Sequence, residues 1–124
     1  MAIAGCQWGT AAAVQFTMFT NCLGVLAKVA GGNDVIGIHL VLVYSNRNSF
    51  TAADVALVTQ VLAAQNYDNT TCVIMGKTSL WEASADAAYT ALVNAVNPAD
   101  RVYPFADGTY GARISDGAVE ITYQ

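Results

Sequence analysis

The stretch Thr10–Gly32, TAAAVQFTMFTNCLGVLAKVAGG, is apolar over most of its length, and its reading sets the layers of the fold. At 100° per residue, Val14, Phe16, Met18, Phe19, Leu23, Val25, Leu26 and Val29 cover about 200° of a helix and leave a narrow polar stripe of Thr17, Asn21 and Lys28. Gly31-Gly32-Asn33 supplies residues that tolerate positive φ, a stop signal. The pattern therefore predicts a helix from Thr10 to about Ala30, covered on two sides. The same stretch is the chain's one candidate for a membrane span. Gln15, Thr17, Thr20 and Asn21 interrupt it, so it falls short of the ~20 clean apolar residues a span requires.

Outward from that segment, short apolar runs alternate with helical ones. MAIAGCQW, residues 1–8, reads as a first strand. VIGIHLVLVYS, residues 35–45, is apolar at both parities and reads as a central strand buried on both faces. Thr51-Ala52-Ala53-Asp54 starts a helix with a Val55, Val58, Leu62 stripe that ends near Asn66. TTCVIMG, residues 70–76, is a third strand. Ser79-Leu80-Trp81-Glu82 is a capping box opening a helix with Trp81, Ala85, Ala88, Tyr89, Leu92 and Val96 on one face, stopped at Asn97-Pro98.

The last quarter carries two hairpin signals, Asp107-Gly108 and Asp116-Gly117, since Gly at the second turn position accepts positive φ. The second turn sets Ile114 opposite Val119, Arg113 opposite Glu120, Ala112 opposite Ile121 and Tyr110 opposite Tyr123. The first sets Phe105 against Tyr110, while Pro104 demotes its strand to an edge or a bulge. The whole, residues 1–124, reads as a single α/β domain. Its expected order is β-α-β-α-β-α followed by a three-stranded antiparallel meander, in a mixed sheet with helices on both faces. The alternative class is α+β.

Charge narrows the functions. Only 11% of residues are charged against the ~25% typical of soluble domains, which implies that some surface is covered by a partner. The five basic residues, Lys28, Arg47, Lys77, Arg101 and Arg113, form no cluster and the net charge is −4, so neither nucleic acid nor an anionic membrane is an expected partner. Cys6, Cys22 and Cys72 show no metal-ligand spacing, and no metal or cofactor is expected. Ile3-Ala4-Gly5-Cys6 resembles a lipoprotein cleavage box but lacks a basic region and an apolar run before it. The location expected by default is cytoplasmic.

VIMGKTS, residues 73–79, invites comparison with the phosphate-binding loop G-x-x-x-x-G-K-[ST]. The first glycine of that pattern falls on Thr71, inside the expected strand, and the loop is too short to wrap a triphosphate. What survives is a candidate site for a small anion at the strand ends, with Arg47, Lys77, Thr78 and Ser79 as its ligands. The lone His39 sits mid-strand, where a buried neutral imidazole is a better fit than a general base. No catalytic residue is assigned, and most of the carboxylates have turn, cap or ion-pair roles. The aromatics suggest an oligomer interface made of Phe16, Phe19 and Leu23 on the wide helix and Tyr103, Phe105, Tyr110 and Tyr123 in the meander. Two functions follow. The first is a non-enzymatic, self-associating subunit of a shell, filament or virion type. The alternative is an anion-binding α/β domain or small enzyme with its site near Lys77.

Overall fold

The computed structural model describes residues 1–42 and 50–123. In it the stretch from Thr10 to Gly32 is not a helix. After the short strand β1 (Ala2–Ile3), it contributes to β2 (Trp8–Ala11) and forms β3 (Ala13–Phe16) and β4 (Cys22–Lys28). The physical cause is burial of β4 on both faces. Leu23, Val25 and Ala27 enter one hydrophobic cluster, while Cys22 and Leu26 enter the other. A strand covered twice loses its period-two alternation, and its apolar run then also fits a wide helical stripe.

The remaining elements are β5 (Val35–Val41), α1 (Ala52–Ala64), β6 (Val73–Gly76), α2 (Thr78–Ser84), α3 (Asp86–Val96), β7 (Val102–Pro104), β8 (Tyr110–Ser115) and β9 (Ala118–Tyr123). They make a mixed α and β fold with two sheets. One has the order β2-β5-β4-β6-β7 and the other β1-β3-β8-β9. β5 is the expected interior strand, but both of its neighbours, β2 and β4, run antiparallel to it. Among the described residues parallel pairing is confined to β6–β7 and β1–β3. Residues 43–45 of the expected central strand lie outside the described residues.

The helices cover one face of the five-stranded sheet, not both. Val55, Val58 and Leu62 of α1, Trp81 of α2 and Tyr89, Leu92 and Val96 of α3 pack with Val25, Ile38 and Ile74. The opposite face is covered by the four-stranded sheet, through Ile3, Val14, Phe16 and Ala112. Two glycines let the sheets approach. A Cβ at Gly24 would lie 2.7 Å from Phe16 Cε2 and 2.8 Å from Met75 Sδ, and one at Gly37 would lie 2.9 Å from Ile3 Cδ1. Phe16, 1% exposed, fills the hollow these absent side chains leave.

Local signals explain the helix starts in part. Thr51 and Asp54 form the expected cap, in which the Asp54 carboxylate accepts from the Thr51 N–H at 2.9 Å. The Ser79 and Glu82 box does not set the next helix. α2 starts at Thr78 with Lys77 as its N-cap, and a non-helical Ala85, φ −142° and ψ 48°, breaks the expected single helix into α2 and α3. Asn97 in the left-handed region closes α3, as expected.

The terminal meander is also revised. β8 and β9 form a hairpin in the expected register, including Ile114↔Val119, Arg113↔Glu120, Ala112↔Ile121 and Tyr110↔Tyr123. β7, however, joins the other sheet beside β6, so Phe105 meets Tyr110 by ring stacking at 5.1 Å and not across a strand pair. No helix among the described residues is long and apolar enough to cross a membrane.

Candidate functional site

The parallel strands β6 and β7 end beside the start of α2. Gly76, Lys77, Thr78 and Ser79 there line a hollow of about 290 Å³ together with Pro104 and Phe105. The fold thus brings Lys77, Thr78 and Ser79 together, as the spacing suggested, while Arg47 lies outside the described residues. Thr78 is 5% exposed, so its side chain belongs to the core boundary, and Ser79 faces solvent.

The Lys77 ammonium has structural partners. Its Nζ is 3.4 Å from Asn21 Oδ1 and 3.7 Å from Asp107 Oδ1. The same Asp107 oxygen accepts the Asn21 backbone N–H at 2.9 Å, and the Asn21 carbonyl accepts the Trp81 indole N–H at 2.9 Å. Asn21, at φ 60°, is the centre of this clasp, which ties the loop between β3 and β4 to α2 and to the turn after β7. A cation already paired with a carboxylate presents a weakened field to an incoming anion. Lys77→Ala is expected to lower stability by less than about 1 kcal/mol, as for other partly exposed ion pairs. Urea unfolding of the two proteins measures this.

Elsewhere Cys22, Cys72 and His39 are buried. Burial pushes the Cys72 thiol up to about 11 and raises that of Cys22, so both remain protonated at neutral pH. Cys6 is exposed. Among the described residues no three His, Cys, Asp or Glu side chains gather as metal ligands would. A hollow beside Cys6, Trp8, Asp54 and Leu57 measures about 130 Å³, below the ~300 Å³ at which small-molecule pockets begin.

His39 is 2% exposed, as a mid-strand histidine between two layers should be. Its Nδ1 lies 3.0 Å from the Ile3 carbonyl oxygen, which can only accept, so Nδ1 carries the proton. Nε2 is then an acceptor with no hydrogen-bond partner among the described residues, in a ring packed on Phe19 at 4.8 Å and Phe16 at 5.4 Å. Burial lowers its pKa below the ordinary 6.5, against the smaller raising effect of the Ile3 bond. The unfolded chain therefore takes up a proton first as pH falls. Stability is undiminished above about 6.5, declines as pH falls from there toward the folded value, and levels off below it. The slope does not exceed about 1.4 kcal/mol per pH unit. Urea unfolding between pH 7.5 and 5 should show this decline in the natural protein and its absence in His39→Phe, which is less stable throughout because the Ile3 carbonyl loses one of its two donors and retains the Thr17 N–H at 2.9 Å.

Of the residues suggested for an interface, Phe16, Phe19 and Leu23 are at most 1% exposed and belong to the chain's own core. The wide apolar arc was the signature of two internal layers. The surface aromatics are different. Tyr103 is 40% exposed and Tyr123 65%, whereas Tyr110 is nearly buried and donates to the Ala106 carbonyl at 2.6 Å. Tyr103, Phe105, Val119, Ile121 and Tyr123 line an open hollow of about 210 Å³ where the β7 edge of one sheet meets the β9 edge of the other. Val119 and Ile121 were not singled out from the sequence as surface residues. Their strand was legible, but its position at a sheet edge depends on pairing with distant β3. Comparison with protein-family models and with curated proteins finds no match to this chain.

Proposed function

We propose that this chain is a non-enzymatic, self-associating structural subunit, of the kind that builds a shell, a filament or a virion component. The observation that carries the reading is the β9 edge. It is a half-buried edge strand, AVEITY, without Lys or Pro, beside an apolar hollow and ending in a largely exposed Tyr123. An edge strand with a single charge on its outer face and no Lys or Pro is a template for another chain, and proteins that remain monomeric usually blunt such an edge. The low charge of the whole sequence supports the same reading, because interface cores are depleted in charge and enriched in aromatics.

Light scattering over a concentration series tests it. The expected result is a mass above the 13.0 kDa of one chain, returning to 13.0 kDa in Tyr123→Glu with an unchanged circular-dichroism spectrum. A natural protein that stays at the monomer mass at every concentration overturns the proposal. A second reading, a small-anion site at Lys77, Thr78 and Ser79, draws on the hollow beside them. It requires inorganic phosphate to raise the melting temperature of the natural protein and not that of Lys77→Ala.

A further inference from the structure

β9 ends its sheet, so one side of its backbone has no strand neighbour among the described residues. The turn before it determines which groups face that side. Asp116 and Gly117 both have positive φ, 51° and 78°, as in the type I′ two-residue loop. Such a loop closes on a hydrogen-bonded pair, here Ser115↔Ala118, and bonded and non-bonded pairs then alternate along the ladder. Arg113↔Glu120 and Gly111↔Thr122 are therefore bonded pairs, while Ile114↔Val119, Ala112↔Ile121 and Tyr110↔Tyr123 are not. The N–H and C=O groups of Val119, Ile121 and Tyr123 consequently point to the free edge.

The faces of the strand are equally distinct. Ala112 is 1% exposed and lies between the sheets, so its partner Ile121 shares that inner face with Val119 and Tyr123. Glu120 is on the outer face, held by Arg113 at 2.8 Å. β7, the corresponding edge of the other sheet, carries Pro104, whose missing N–H discourages strand addition. β9 has no such guard.

We infer that β9 pairs antiparallel with β9 of a second copy of this chain, across a two-fold axis at Ile121, joining two four-stranded sheets into one. This deepens the proposed self-association and rests on it. Opposed residues of an antiparallel ladder share a face, so the axis must pass at a residue and not between two. An axis at Ile121 sets Ile121 against Ile121 and Val119 against Tyr123, and all of these present their backbone groups outward. About six hydrogen bonds form, two for each bonded pair. Glu120 then faces Thr122, and no like charges meet. An axis at Glu120 opposes two carboxylates and leaves about four bonds, and an axis at Thr122 also leaves about four. On the inner face the Val119, Ile121 and Tyr123 side chains of both copies form one apolar strip, which covers the most exposed aromatic of the hairpin. The partner that fits is thus this same strand, because the pattern of donors, apolar side chains and the single charge is complementary to itself.

Cysteine pairing reads the register. In a Cys6→Ser background, Glu120→Cys and Thr122→Cys proteins are oxidised separately and as a mixture, then run on non-reducing gels. Positions 120 and 122 face each other at a Cα separation of about 4.5 Å, within disulfide reach, whereas 120 and its own symmetry mate are too far apart. The expected result is a linked dimer in the mixture and little in either protein alone. Linking in Glu120→Cys alone or Thr122→Cys alone overturns the Ile121 axis. A dimer mass by light scattering without linking in any sample overturns this interface while leaving self-association standing. A concentration-independent monomer overturns both.

Discussion

Trp81→Ala is expected to cost about 3–5 kcal/mol, close to the whole stability of a marginal small domain. Trp81 is fully buried, its ring is 5.1 Å from that of Phe50, and its indole N–H is donated to the Asn21 carbonyl at 2.9 Å. α2 has seven residues, too few to persist on helix propensity alone, so the burial of this side chain holds it against the sheet. Truncation leaves a cavity and an unpaired carbonyl together. Trp81→Phe separates the two terms. It retains most of the packing and loses the hydrogen bond, for a cost of about 1–3 kcal/mol. Urea unfolding of the three proteins gives both values, and a loss below about 1 kcal/mol in the alanine variant would contradict this account of α2.

Gly76→Ala should be comparably severe, with a loss of at least about 3 kcal/mol or failure to accumulate as folded protein. Gly76 has φ 127°, a conformation that side chains rarely adopt, and a Cβ there would overlap the Cys22 carbonyl oxygen on the adjacent β4. The Lys77 N–H is bonded to that same carbonyl at 3.1 Å, so relief by moving β4 would break the pairing that starts α2. The glycine of Gly-Lys-Thr is thus accounted for by close approach of two backbones, without any phosphate. Expression and thermal melting of Gly76→Ala provide the check. A variant that folds normally would reopen a ligand role for the loop.

Parts of the fold were legible because their causes are local. The Asp116-Gly117 turn dictated the β8–β9 register, since a two-residue loop with positive φ at both positions permits one alignment. Thr51 and Asp54 dictated the start of α1, and the Val55, Val58, Leu62 stripe its buried face. At the candidate site, the grouping of Lys77, Thr78 and Ser79 followed from their adjacency, but the clasp that occupies Lys77 did not. It joins Asn21, Lys77 and Asp107 from three separate loops, and no spacing rule relates them.

Sequence alone determined that the centre of this protein is buried on both faces and that residues 110–123 form a hairpin with Glu120 opposite Arg113. Tertiary structure alone decided what covers that centre. An apolar run such as Cys22–Lys28 shows neither period clearly, so helix and strand remain equally consistent with it. The choice was made by pairing at long range, Val14 with Ala112 and Gly24 with His39, and by the two glycines that admit Phe16 between the sheets. Those contacts release their free energy only when both partners are in place, and for that reason no window of the sequence contains them.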